Sequence, residues 1–393
     1  MGRLFEIHMI ENSQRQRRPP AAEYQLAQSA PPLSHLSANA VMSNAADAAE
    51  IYPIGDYRRV TKVSPLPPFD PNDLARDRAD AHWVYSDSTG KAIARCSLWW
   101  QNTPNHVHFR VGLIGHYAAT DMNSGHRILA HACRELAKQG MTLAAGPMDG
   151  STWRHHRLVV ERGTEPRFFM EPDNPDDWPL HFKACGFAPV AHCRSSLQTD
   201  LTIHDPRMNS VVDRTRSLGI RVRELDPRHF EDELHRIYTI SIASFRNNFL
   251  FMPLNEADFM QQYRSLLRYL CPQLVLIAER GRQPIGFLFL IPDHLQAQRG
   301  EPVNTIIVKT IAVIPGRAYA GLGNLLCVKA QGIVRELGYT RAIHALMHES
   351  NSSLNSSARY AQGMRRYALF ARPIGKPVSN SESRAGMSLP HAL

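Results

Sequence analysis

The sequence predicts an α+β fold with mixed sheets, built twice along one chain of 393 residues. Three observations carry this expectation. A nearly continuous β-branched run (Thr305 to Ile314) leads through a glycine-bearing loop into an amphipathic helix ending near Leu337, then a second strand (Arg341 to Met347). The order hairpin, long strand, helix, strand also occurs between His82 and Ala145, which reads as a remote internal duplication. Both repeats lie between polar ends of different composition.

Those ends set the expected organisation. Residues 1–50 are rich in Gln, Ser, Ala and Pro and read as a disordered tail, with Met42 as an alternative start. The first folded half spans 51–205 and the second 206–375, with 376–393 as a flexible end. An apolar content of 43% supports two real cores. The tail holds no apolar run long enough for a signal segment or a membrane span. A net charge of +9, spread over many arginines, suits a polyanionic small molecule. No basic run is interleaved with aromatics, so nucleic acid is not an expected partner. Six cysteines without a Cys-x-x-Cys pair fit reduced thiols in the cytoplasm and give no metal framework.

In the first half, His82–Tyr85 and Ala92–Trp100 read as a hairpin around Asp87-Ser88-Thr89-Gly90. A long strand follows from His106 to about Tyr117, then a helix with Ser124 as its expected N-cap and Gly140 as its stop. Between strand and helix there is no glycine pair. The segment Gly146 to Arg154 leaves the next strand as a polar, glycine-rich stretch. It reads either as a pocket wall, with Phe168, Phe169, Glu171 and Trp178 beside it, or as a structural turn around a core tryptophan.

In the second half, Ile220–Leu225 opens as a strand. Helices follow around Glu231–Phe245 and after an Asn255 cap, and a hairpin (Leu274–Glu279, Ile285–Ile291) turns at Gly281 to Pro284. The run from Thr305 comes next. Pro315 and Gly316 end its strand, and Gly321-Leu322-Gly323 opens its helix. Glycines there let a phosphate approach the unpaired amides of the helix start. A Walker loop is excluded because Leu322-Gly323 follows Gly321, and a dinucleotide fingerprint because residue 326 is leucine. Two readings stay open on these residues alone: a phosphate loop, or a plain strand–loop–helix unit.

Val313, Pro315, Gly321, Gly323, Leu325 and Leu326, in this order, resemble the phosphate loop of the GNAT acetyltransferase superfamily. Ala318 stands where that family usually has Arg or Gln. The element order of the second half is also the family's. The resemblance implies acetyl-CoA as acyl donor, held by Ala312, Val313, Gly321, Leu322, Gly323 and Asn324, with Asn351 on the pantetheine arm. It implies Tyr360, in a short helix, as the acid that protonates the departing thiolate. It also implies a small-molecule or peptide amine as acceptor. No clean general base is visible; Lys309 and Thr310 occupy the fourth strand, and His344, His348 and Glu349 lie on or after the fifth. In the first half Phe182 stands at the family's tyrosine position. A phenyl ring cannot give up a proton, so this half is expected to have lost its own catalysis. Two other readings remain: an acyltransferase with a different donor, and a non-catalytic CoA- or partner-binding module.

Overall fold

The computed structural model describes residues 50–53, 65–202, 208–349 and 360–376. They form two compact units that are not contiguous in sequence. The C-terminal unit holds Val159–Asp173 and Ala191–Tyr367. The N-terminal unit holds the described residues up to Leu158, Asn174–Val190, and those from Ala368 onward. A single boundary near residue 205 therefore does not describe the exchange of segments.

The N-terminal unit begins with β1 (Glu50–Pro53), α1 (Asn72–Arg76), β2 (Ala81–Ser86), β3 (Ala92–Trp99) and β4 (Val111–Ala119). Then come α2 (Met122–Lys138), β5 (Leu143–Gly146), the short β6 (Leu158–Glu161) that leads out of the unit, and α3 (Trp178–Ala184). Strands β1 to β4 pair antiparallel in order, and β4 pairs parallel with β5. The Asp87 carboxylate makes the hairpin turn by accepting from the Thr89 and Lys91 amides, both at 2.9 Å. The cap of α2 differs from expectation. Asp121, not Ser124, is the N-cap, and Ser124 completes a capping box from the third helical position. A carboxylate at that position satisfies the amides better than the serine hydroxyl three residues on.

The C-terminal unit contains α4 (Met208–Ser217), β8 (Ile220–Glu224), α5 (Phe230–Phe245), α6 (Glu256–Arg264), β9 (Val275–Arg280) and β10 (Gln283–Pro292). It continues with α7 (His294–Gln298), β11 (Thr305–Val313), α8 (Leu322–Glu336) and β12 (Arg341–His348). Strands β8 to β11 are antiparallel neighbours in order, and β11 and β12 are parallel. The remaining strands, β7 (Ala188–Gln198) and β13 (Gln362–Pro373), cross the unit boundary. Phe370–Pro373 pair with β5 in the N-terminal unit, while Cys193–Gln198 pair with β12 in the C-terminal unit. Each sheet is thus completed by a strand from the other half of the sequence.

The β11–α8 core is the apolar pattern made solid. Leu322, Leu325, Leu326, Ala330 and Val334 pack on Ile306, Val308, Ile311 and Val313 of β11 and on Leu288 and Leu290 of β10. Burying each such leucine or isoleucine contributes roughly 1.5–3 kcal/mol. Helical spacing in the sequence also places Ile333 and Leu337 on the face of Leu322, Leu326 and Ala330. The helix instead continues its inward stripe at Val334, leaving Ile333 half-buried and Leu337 42% exposed. A 3.6-residue turn carries the stripe from Ala330 to Val334 rather than to Ile333. No helix among the described residues is long and apolar enough to cross a membrane.

Candidate functional site

The candidate site lies where β11 and β12 separate. The two strands pair from Thr305–Arg341 to Val308–His344, and no ladder pair joins them beyond that point among the described residues. Both strands are irregular there. Lys309 bulges out of the β10–β11 ladder, and the β12–β7 register shifts between His344 and Met347, with Leu346 at φ +56°. A bulge in each strand turns the two edges apart, leaving the β12-facing edge of β11 from Lys309 to Val313 without a strand partner among the described residues.

The loop after β11 ends at Gly321, which takes φ +82° as the N-cap of α8 and has no side chain to cap with. The first internal bond of the helix runs from the Leu325 amide to the Gly321 carbonyl, 3.0 Å. The amides of Leu322, Gly323 and Asn324 therefore point out of the helix start, toward any anion bound there. Arg214 on α4 donates to the Ala320 carbonyl and sits beside this loop. A Cβ on Gly321 would lie 3.0 Å from Val211 of the same helix. The sequence reading did not connect α4 with the loop, because more than a hundred residues separate them.

Ala312 and Val313 are buried on the edge of β11, and Leu322 and Gly323 are buried in the first turn of α8. Asn324 is half-buried beside them. Loop, strand edge and helix start thus come together as one unit. Asn351 and the short helix expected before Tyr360 lie outside the described residues. Tyr360 is a half-buried turn residue just before β13.

The base candidates separate clearly. His344 is a core histidine: burial pushes its pKa down to about 4, and its Nε2–H donates to Gln198 Oε1 at 3.1 Å. Glu349 pairs with Arg366 at 3.0 Å on the surface. Lys309 is fully buried and its Nζ lies 3.3 Å from the Met170 carbonyl. Near it in the chain, Glu171 is buried between Arg365 and Tyr367, and the Tyr367 hydroxyl also meets Ser195 Oγ at 2.9 Å. Burial raises the Glu171 pKa, opposed by the Arg365 charge and the Tyr367 hydrogen bond. The Phe168 amide also donates to Glu171 Oε2 at 3.2 Å, but Arg365 and Tyr367 lie almost two hundred residues away, beyond any local pattern.

The corresponding place in the N-terminal unit is filled. β4 and β5 pair only from Val111–Leu143 to Leu113–Ala145. Residues of the Gly146–Arg154 segment then lie directly on β4, with the Met148 amide donating to Ile114 O (2.8 Å) and the His116 amide to Asp149 Oδ1 (2.6 Å). A Cβ on Gly115 would fall 2.3 Å from the Met148 carbonyl oxygen. Met148 and Trp153 are core residues, so the segment is packing rather than pocket wall. Trp178 belongs to this unit and Phe168, Phe169 and Glu171 to the other. Beneath the segment runs a buried chain: Asp77 Oδ2 to His116 Nε2 (3.1 Å), His116 Nδ1 to Ser97 Oγ (2.8 Å), Ser97 Oγ to His82 Nδ1 (2.8 Å). Burial pushes the His82 pKa down to about 3. Burial alone would raise the Asp77 pKa, but hydrogen bonds from His116 and Arg76 and the Arg154 charge outweigh it and hold it low.

The C-terminal unit has strand, two helices, hairpin, strand, loop, helix and parallel strand, with the last two strands parting at bulges. Hairpin, strand, helix and parallel strand recur in the N-terminal unit. These orders of elements are the ones expected of a GNAT-like fold. No family model matches the chain. It is similar to protein YghO of Escherichia coli (strain K12), 24% identical over 165 residues, covering 41% of this chain and 42% of that protein. It is also similar to the bacterial ceramide synthase of Caulobacter vibrioides (strain NA1000 / CB15N), 24% identical over 225 residues, 56% of this chain and 58% of the relative. The chain thus spans about half the length of the curated relatives it matches. Among solved structures, it is similar to the GCN5-related glucosamine N-acetyltransferase region of a fungal multi-domain GH3 β-N-acetylglucosaminidase. The identity is 16% and the TM-score 0.48, over 84% of this chain and 38% of the other.

Proposed function

We propose that the chain is an acyl-CoA-dependent N-acyltransferase whose cofactor binds the C-terminal unit. The observation that carries this reading is the uncapped, glycine-opened start of α8 beside the parted edge of β11. The amides of Leu322, Gly323 and Asn324 hold the pyrophosphate. The pantetheine arm, which carries two amides, adds to the β11 edge at Ala312 and Val313 as a peptide adds to a sheet edge. Asn351 contacts that arm and Tyr360 protonates the leaving sulfur. The amine nitrogen attacks the thioester carbon, a C–N bond forms and the C–S bond breaks. The nitrogen gives up one proton and the sulfur takes one, leaving an amide and free CoA. The acceptor is a small-molecule or peptide amine, and the six cysteines, all free thiols, suit a reducing cytoplasm.

The donor is acetyl-CoA on the family resemblance. The relative that carries the name ceramide synthase favours a second reading of the same chemistry, a longer acyl donor joined to a lipid amine. Calorimetric titration with acetyl-CoA, free CoA and dodecanoyl-CoA tests both. One site per chain, lost in Gly323→Glu with melting unchanged, supports the assignment, and the tighter acyl-CoA names the donor class. Binding retained in that variant would sink the site.

A further inference from the structure

One buried group beside the parted strands has no role so far. In the β10–β11 ladder Phe289 faces Thr310 and Leu290 faces Val308, so Lys309 is the extra residue of the bulge. The bulge resets the alternation of side chains. Val308, Ile311 and Val313 pack toward α8 with Leu288 and Leu290, which leaves Thr310, like Phe289, on the opposite face. On its other flank β12 has already left, since the β11–β12 ladder ends at Val308 and His344. Thr310 therefore stands between Phe289 and the gap.

Its side chain is fully buried, and Oγ1 has no hydrogen-bond partner among the described residues. Of the other buried hydroxyls of this unit, Thr215 Oγ1 donates to Val211 O and Ser241 Oγ to Ile237 O, both at 2.7 Å. Ser244 Oγ and the Tyr263 hydroxyl also have no partner among the described residues, but they lie on helices away from the parted strands. An unpartnered hydroxyl in the interior weakens the fold, and valine would fill the same space without that cost. A threonine at this position is explained if a ligand completes its hydrogen bond. We infer that the Thr310 hydroxyl donates to the carbonyl oxygen of the acyl thioester bound in the gap. Thr310 is then a binding and catalytic residue, since the same oxygen gathers negative charge when the amine attacks, and a donor fixed in a dry site stabilises it. The inference rests on the acyl-CoA reading above.

The test needs no acceptor, because free CoA lacks the carbonyl. Acetyl-CoA and CoA are titrated into the wild-type protein, Thr310→Val and Thr310→Ser, with thermal unfolding of each. The expected result is that Thr310→Val loses about five- to tenfold in acetyl-CoA affinity, keeps CoA affinity within twofold, and melts no lower than wild type. Thr310→Ser keeps the acetyl-CoA preference. Equal losses for both ligands, no loss for either, or a lower melting point for Thr310→Val with both affinities intact would overturn the inference. Binding of neither ligand by the wild-type protein would overturn the acyl-CoA reading itself, and this inference with it.

Discussion

The two repeats reach the same geometry and then treat it differently. In the N-terminal unit the gap after the β4–β5 ladder is filled by Met148 and Asp149, hydrogen-bonded onto β4. In the C-terminal unit the edge of β11 beyond Val308 has no strand partner among the described residues. The helix starts differ in the same sense. α2 carries its own anion: Asp121 accepts the Ser124 amide at 2.9 Å and hydrogen bonds from the Thr120 and Ser124 hydroxyls, which together outweigh burial and lower its pKa. α8 begins at a glycine with no cap. One repeat spends its helix-start amides on its own carboxylate, and the other has no side-chain cap there. A strand–loop–helix unit therefore needs more than its fold to bind phosphate; its amides must still be unclaimed.

Substitutions in the filled gap should give the largest effects. Gly115→Ala forces a Cβ into the Met148 carbonyl and should cost about 3 kcal/mol or more in chemical denaturation. A neutral outcome would mean that the segment is not seated on β4. A pH effect of similar size belongs to the open repeat. His344 has a folded pKa of about 4, below the ordinary 6.5. Between those values the unfolded chain binds the proton and the folded chain does not. Stability is therefore lost as pH falls from about 6.5 to about 4, by roughly 3 kcal/mol from this group. His82, pushed down to about 3, adds a loss in the same direction over a window that reaches lower. His344→Gln should flatten the profile above pH 4 while leaving the part due to His82, and an unchanged slope would show that His344 is not held neutral.

Asp149→Ala removes the acceptor of the His116 amide and should cost about 2 kcal/mol. It should not create a second CoA site, because Asp121 still occupies the α2 start. Two bound CoA molecules per chain in this variant would break the contrast between the repeats. Asp121→Ala should cost about 1 kcal/mol as a lost cap. The smallest effect expected is a gain. Gly332 lies inside α8 with open space around a Cβ, so Gly332→Ala should stabilise by roughly 0.5–1 kcal/mol without changing CoA binding.

Much of this was written locally. Asn255 caps α6 through the Asp258 amide at 2.8 Å, Gly321 and Gly338 take positive φ, and the β9–β10 hairpin turns where Gly281 is found. Each follows from a few neighbouring residues whose side chains or missing side chains fix the backbone. The loop glycines of the candidate site belong to this class. The segment exchange does not. Whether β12 takes its antiparallel partner from Cys193–Gln198 or from the strand next in sequence depends on edges brought together by the whole fold. The same holds for Arg214 at the loop before α8, for Glu171 between Arg365 and Tyr367, and for the segment on β4. The sequence by itself determined the repeated α+β order, the turns and the glycine-opened helix, because these are set within one or two turns of chain. Only the tertiary structure decided which repeat has the gap beside its strand filled, because that depends on what other residues bring to it.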